Sequence, residues 1–461
     1  MTLLLTAERL AVHGREGVLV EPLDLSLQAG RALTILGESG SGKSLAAQAL
    51  LGTLPRGLRA SGALALGPDR FDPARPAGQR ALWGRRIAVL PQEPWLALDP
   101  LMRAGAQVAE VHALVGAAAD PAARTAGDLG RLGLAHAAAI WPWQMSGGMA
   151  QRLAFAAARA GGAPVTVADE PTKGLDAAMR GEVLALLRQG LADGGGLICI
   201  THDLELAAGL GGEILVMRGG TVVERGPADR LLSDPQHPYT RALIGADPAR
   251  WPRPVPRPAG VPILRAEGLA LSRGGRRLFS DLDLTLAPGE VVGIEGPSGC
   301  GKSSLGNVLL GLLAPDRGTV WRDPAAPRFG WQKIWQDPPA AFPPRLALGQ
   351  GLKDLARRHR IDPARIPPLL DRLNLRPALL DRTPAEVSGG ELQRLAILRA
   401  LLLDPVMLFA DEPTSRLDPV TQAEAVRLLA DLARAEGLAL LFVSHDRALL
   451  AAICDRILTL R

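Results

Sequence analysis

Four short motifs run along this 461-residue chain and then run again in the same order, so it has to fold as two copies of one unit. Gly37-Glu-Ser-Gly-Ser-Gly-Lys43-Ser44 returns as Gly296-Pro-Ser-Gly-Cys-Gly-Lys302-Ser303, and Ser146-Gly-Gly-Met-Ala-Gln-Arg152 returns as Ser388-Gly-Gly-Glu-Leu-Gln-Arg394. An apolar run closing on Asp169-Glu170-Pro-Thr172 returns closing on Asp411-Glu412-Pro-Thr414, and Thr201-His202-Asp203 returns as Ser444-His445-Asp446. The lysines lie 259 residues apart, the second and third motifs 242, and the histidines 243. The copies are therefore collinear, and the first carries extra residues early on.

Between the copies, residues 246–262 hold six prolines, which exclude a helix or central strand and favour an extended, semi-rigid spacer. Such a spacer reaches about 50 Å at roughly 3 Å per residue, enough for two domains to face one another. The expected organisation is a first domain at 1–245, the Pro-rich linker at 246–262 and a second domain at 263–461.

Composition narrows the class further. Apolar residues make up 47% and charged residues 21%, which excludes a largely disordered chain. The three cysteines, Cys199, Cys300 and Cys454, form no Cys-x-x-Cys, so a disulfide scaffold or cysteine zinc site is not expected, and reduced intracellular thiols are the simplest reading. The net charge of +5 comes from arginines scattered among acidic residues rather than a basic run, so charge alone does not argue for nucleic acid. No positively charged leader opens the chain, and no run of about 18 apolar residues occurs, so a secretory signal and a membrane-spanning helix are not expected. If the chain serves a membrane, the membrane part belongs to another polypeptide.

Short runs rich in Val, Ile and Leu, at 31–36, 165–168 and 197–200 and again at 290–295, 406–410 and 438–443, read as buried parallel strands of an α/β sheet. Their carboxyl ends carry Lys43, Asp169, Glu170 and His202, the edge at which open α/β sheets bind ligands. Both glycine-rich loops follow a strand and precede a helix. Their glycines let backbone amides cradle phosphate oxygens, Lys43 and Lys302 reach the β- and γ-phosphates, and Ser44 and Ser303 bind Mg²⁺. Asp169 and Asp411 end strands where a carboxylate holds that ion. Glu170 and Glu412 follow, placed either to orient a water for attack on the γ-phosphate or to cap a helix.

With these motifs the chain resembles two fused ATP-binding cassette (ABC) ATPase domains over nearly its whole length. The Ser-Gly-Gly-x-x-Gln signature is the most specific element; alone it would read as a helix cap. The resemblance implies two P-loop NTPase domains, each a mixed, mainly parallel sheet with a helical subdomain and an N-terminal antiparallel β part. It implies ATP and Mg²⁺ as ligands. The ATP-binding positions are Gly37, Ser39, Gly40, Gly42, Lys43 and Ser44, with Gly296, Ser298, Gly299, Gly301, Lys302 and Ser303. Signature positions Ser146, Gly147, Gly148, Ser388, Gly389 and Gly390 would touch the γ-phosphate held by the opposite domain in a head-to-tail pairing. Gln92 and Gln336 resemble the Q-loop glutamine and join Ser44, Asp169, Ser303 and Asp411 around Mg²⁺. Leu175-Asp176 and Leu417-Asp418 resemble the D-loop. Glu170 and Glu412 would be catalytic, with His202 and His445 as switch histidines. One element departs from the family: where it usually stacks adenine on an aromatic, this chain has His13 and Arg273.

Three roles follow for such a machine: energy-coupling subunit of an ABC importer, twin-cassette protein acting on ribosomes or nucleic acid, or DNA-repair or chromosome ATPase. The spacer is not the long charged helix of ribosome-acting proteins, and neither zinc-binding cysteines nor long coiled coils occur. Asp234-Pro-Gln-His237-Pro-Tyr239-Thr-Arg-Ala-Leu243 resembles the tail of cassettes serving dipeptide, oligopeptide and nickel uptake, and the Gln92-Glu-Pro and Trp141-Pro-Trp segments resemble that family's Q-loop and pre-signature segments. This family likeness implies ATP-driven import of peptide, nickel or a related small solute. Two membrane permease subunits and an extracytoplasmic solute-binding protein would be partners, and the place would be the cytoplasmic face of the cell membrane, with no nucleic acid. The segments near 92–107 and 336–350 would receive the permease coupling helices, and the second copy is expected to lack the tail.

Overall fold

The computed structural model describes the chain except residues 1, 39, 91–96, 117, 173–174, 176, 256–259, 298, 415–416 and 461 and the side chains of 177 and 178. Its contacts divide it into two compact units, Met1–Ile244 and Gly245–Arg461.

The first unit opens with long, alternating strands, β1 (Leu3–Gly14) and β2 (Gly17–Gln28), which send every second side chain inward. With β4 (Arg59–Leu66) and β5 (Asp69–Phe71) they make an antiparallel sheet in the order β2-β1-β4-β5. The second sheet contains β3 (Ala32–Leu36), β6 (Ile87–Leu90), β7 (Val165–Asp169), β8 (Gly196–Thr201), β9 (Glu213–Arg218) and β10 (Thr221–Pro227). Its order is β10-β9-β3-β8-β7-β6, parallel except for the β9–β10 pair. Strands β3 and β8 are buried at every position, as apolar runs without alternation require when helices cover both faces. The helix Lys43–Leu51 lies in the core shared by the two sheets. The helices Ala104–Leu114, Pro121–Arg131 and Gly147–Arg159 build a separate apolar cluster around Val108, Leu129 and Leu153.

The second unit repeats the plan. Strands β11 (Leu264–Arg273), β12 (Arg276–Leu286) and β14 (Arg317–Arg322) form an antiparallel sheet. Strands β13 (Val291–Glu295), β15 (Trp331–Ile334), β16 (Met407–Asp411), β17 (Ala439–Val443) and β18 (Arg456–Thr459) form a wholly parallel one in the order β15-β16-β17-β13-β18. Even irregularities recur. A break in register after Ala7 in β1 puts Arg9 at φ 49°, its amide donating to Asp24 Oδ1 at 2.7 Å. The same break after Ala266 in β11 puts Gly268 at φ 57°, its amide donating to Asp283 Oδ1 at 2.7 Å. Each unit therefore joins a mixed or parallel sheet to an antiparallel one, in agreement with the α/β plan expected from the sequence.

Residues from the start of the Pro-rich segment are held by the second unit. The Arg427 guanidinium lies 4.2 Å from the centre of the Trp251 ring and donates to Gly245 O at 2.8 Å, and Trp251 Nε1 donates to the same carbonyl at 2.9 Å.

Candidate functional site

In each unit's larger sheet the glycine-rich loop leaves one strand, the histidine motif leaves the strand beside it and the acidic motif leaves the next strand over. Register fixes this: Leu36 lies beside Thr201 and Asp169 beside Ile200, and in the second unit Ile294 and Asp411 both lie beside Val443. The loops consequently meet at one carboxyl edge per unit.

Both glycine loops need glycine for defined reasons. Gly42 at φ 97° and Gly301 at φ 105° turn the chain through the left-handed region immediately before the helix. A Cβ on Gly37 would collide with the Met217 carbonyl, and one on Gly296 would lie 2.6 Å from that of Leu460. Lys43 Nζ donates to the carbonyls of Gly37 and Glu38, each at 2.8 Å; Lys302 Nζ donates to those of Gly296 at 2.8 Å and Pro297 at 3.1 Å. Each ammonium is thus curled into its own loop. Burial pushes the Lys43 ammonium below the ordinary lysine value, against the pull of Glu170, Asp169 and Glu38. Gly40 and Gly299 also take positive φ within these loops, whereas Ser39 and Ser298 lie outside the described residues.

Ser303 Oγ donates to Asp411 Oδ1 at 3.0 Å. A hydroxyl against a carboxylate is a set of hard oxygens, the chemistry Mg²⁺ prefers. Ser44 and Asp169 occupy the corresponding places, the second residue of the helix Lys43–Leu51 and the last of β7. Asp411 carries a further partner that the sequence did not reveal: Lys333 Nζ from β15, 3.0 Å from Oδ2.

Glu170 and Glu412 are held in the left-handed region, at φ 49° and 45°, an uncommon and strained conformation for a residue with a side chain. In both units this aims the carboxylate at the histidine. His202 Nδ1 lies 3.0 Å from Glu170 Oε1 and 2.9 Å from Oε2, and His445 Nε2 lies 2.8 Å from Glu412 Oε1. Thr201 Oγ1 donates to Glu170 at 3.3 Å, and Gln336 Nε2 donates to Glu412 at 3.2 Å. Burial opposes ionisation of Glu170, but the hydrogen bond and charge of His202, with Lys43 contributing, outweigh it and set the carboxyl below its ordinary value. Gln92 and Asp176 lie outside the described residues. Asp418 caps the helix Pro419–Glu436, accepting the Thr421 amide at 3.0 Å.

Ser146 and Ser388 cap the helices Gly147–Arg159 and Gly389–Leu401, accepting the amides of Met149 and Glu391 at 3.3 Å. Both serines are exposed, with Gly147, Gly148, Gly389 and Gly390 in the first turn. A serine hydroxyl, glycine amides and a helix N-terminus make an open anion site. The second differs in that Glu391 accepts from the Ser388 hydroxyl at 2.8 Å. His13 is tied by Nε2 to Ser61 Oγ at 2.8 Å, and Arg273 ends β11 on the surface.

One contact spans the first unit. The Glu38 amide, inside the glycine loop, donates to Tyr239 Oη at 3.0 Å. Tyr239 is buried on the tail helix Pro238–Gly245, with the Arg218 guanidinium 5.0 Å from its ring centre. Among the described residues no group of three or more His, Cys, Asp and Glu gathers as a metal site, and all three cysteines are buried and free.

The family model described as ABC transporter matches residues 20–173 and 279–415, once in each unit. The chain is 33% identical to the uncharacterised ABC transporter ATP-binding protein YejF of Escherichia coli K12, across 99% of this chain and 94% of that one. It is 34% identical to the glutathione import ATP-binding protein GsiA of the same organism, across 95% of this chain and 81% of that one. Among solved structures, one titled RNase-L inhibitor superposes with a TM-score of 0.62 at 22% identity, across 97% of this chain and 87% of that one. At such identity the likeness is one of fold.

Proposed function

Since the chain belongs to the ABC transporter family and carries two of its ATP-hydrolysing cassettes in tandem, we propose that it powers an importer from the cytoplasmic face of a membrane, energising uptake of a peptide-like solute. The observation that carries this reading is the pairing, in both units, of a phosphate loop with a strained glutamate held against a histidine. Likeness to a glutathione import protein over almost the whole chain points to small peptides as cargo, ahead of nickel. No helix among the described residues is long and apolar enough to cross a membrane, so separate permease chains would form the pathway, with a solute-binding protein delivering cargo.

The reaction assigned to the residues is phosphoryl transfer from ATP to water. Loop amides and the Lys43 or Lys302 ammonium hold the phosphates, exchanging the loop carbonyls that now occupy the lysine for phosphate oxygens. Ser44 with Asp169, and Ser303 with Asp411, would hold Mg²⁺, which when bound neutralises charge on the β- and γ-oxygens. Glu170 and Glu412 orient and deprotonate the attacking water, and His202 and His445 hold those carboxylates in place and meet the γ-phosphate. The signature serines, by family resemblance, close on the γ-phosphate of the opposite cassette, so two nucleotides clasp the halves and hydrolysis frees them.

Glu170→Gln and Glu412→Gln test this. Each should lower turnover at its own site by ~10²–10⁴-fold while leaving ATP binding intact, as read by steady-state hydrolysis beside fluorescent-nucleotide titration. Unchanged turnover in both variants would overturn the assignment. Co-purification of the tagged chain with membrane permeases supports import; co-purification with ribosomes instead would remove it.

A further inference from the structure

Lys333 puts a charge beside the second nucleotide site at a position where the first copy has Val89. Sheet register places Lys333 beside Phe409 in β15–β16, and places Val89 beside Val167 in β6–β7. Lys333 and Asp411 are both buried, at 8% and 10% side-chain exposure, with Nζ 3.0 Å from Oδ2.

The seat for this ammonium is built by several residues at once. Asn307 Oδ1 accepts from Nζ at 3.2 Å, and the ring centres of Trp335 and Phe409 lie 4.7 and 5.2 Å away. Gly306 makes room for Phe409, because a Cβ there would collide with the ring. In the first copy the positions corresponding to Gly306, Asn307, Lys333 and Phe409 hold Ala47, Gln48, Val89 and Val167. Gln48 Oε1 is buried there without a hydrogen-bond partner. Only five of the chain's 52 basic residues are lysines, and this one brings a compact point charge to the site.

We propose that Lys333 makes the two nucleotide sites unequal: its ammonium, seated on Asp411, supplies part of the positive charge that a divalent cation supplies at the first site. The second site therefore binds Mg²⁺ less tightly and depends on it less for holding nucleotide. The physical reason is competition. Asp411 spends Oδ1 on the Ser303 hydroxyl and Oδ2 on Lys333, and a second cation arriving there meets a neutralised carboxylate and a like charge. This inference rests on the ABC ATPase reading, and its test separates the two.

The full-length chain is titrated with Mn²⁺ in the presence of a non-hydrolysable ATP analogue, with bound ion followed by electron paramagnetic resonance. Two classes of nucleotide-dependent site are expected, differing by about tenfold or more in affinity, the weaker being lost in Lys302→Ala. Lys333→Met should bring the weaker class up toward the tighter one, whereas Lys333→Arg, which keeps the charge, should retain most of the difference. Val89→Lys, on a strand position of the independent first unit, should weaken the tight class by about tenfold even if Lys333→Met does not fold. Fluorescent ATP in excess chelator should remain at the second site of the native chain and be lost from it in Lys333→Met. Equal Mn²⁺ classes in the native chain, or an unchanged difference in Lys333→Met, overturns the proposal while leaving the ATPase reading intact. Absence of nucleotide-dependent Mn²⁺ at both sites removes both.

Discussion

Charge at single residues decides how each site responds to its surroundings. Glu170 carries a carboxyl whose folded-state pKa lies below its ordinary value of 4.5, so the ionised form is favoured by folding. Its contribution is fully present above that ordinary value and is lost as pH falls through the lower, folded one. Denaturant unfolding of the native chain and of Glu170→Gln should therefore differ at neutral pH and converge in acid. The same shift keeps the glutamate ionised through mildly acidic pH, so titration of Glu170 should not set an acid limb of the hydrolysis rate there. In the second unit the sensitive residue is Asp411. Asp411→Asn strands the buried Lys333 and should destabilise that unit by about 3–5 kcal/mol, seen as a lower melting temperature of its transition. These consequences were only half legible in the sequence. Glu170, Asp411 and the lysines of the loops stood out by repetition, but Lys333 did not, because it has no counterpart in the first copy to mark it.

Secondary-structure elements set the geometry of the loops, and the tail helix Pro238–Gly245 does so from a distance. Glu224 on β10 accepts the amides of Gln236 at 2.7 Å and His237 at 3.0 Å, fixing the turn into this helix. The helix in turn buries Tyr239 and presents its hydroxyl to the Glu38 amide in the first glycine loop. Tyr239→Phe leaves that loop amide without its acceptor, at a cost of about 1–3 kcal/mol. Nucleotide affinity at the first site should fall, read by titration of fluorescent ATP with Lys302 replaced by Ala, while the second site, read with Lys43 replaced by Ala, should be unaffected. The sequence marked the His-Pro-Tyr-Thr segment by family likeness alone. Its contact with the loop was hidden because the two residues are 201 positions apart, and periodicity reports only neighbours on one element.

At the scale of the whole molecule, two units with separate cores predict two unfolding events. Calorimetry should resolve two transitions, and nucleotide should raise both. Trp251→Ala removes a cation–π contact worth roughly 0.5–1 kcal/mol and should lower only the transition of the second unit, since Arg427 and Gly245 lie with Trp251 on that side. Within the Pro-rich segment, Trp251 is held against Arg427 and Gly245 of the second unit. Proline content reveals stiffness, but not which aromatic in the segment finds a cation to stack on.

Repetition, glycine spacing and the apolar strands by themselves determined the duplicated α/β plan and the places of the glycine loops, the paired acids and the histidines. Those features are local, and a strand that ends in a glycine loop or an acid places it at the sheet edge whatever surrounds it. Tertiary structure alone decided which residues make the two sites differ: the ammonium on Asp411, the ring that Gly306 admits and the tyrosine that grips the first loop all join residues far apart in the chain. Coulombic and packing energies fall off with distance in space, so only the folded arrangement determines which charges meet.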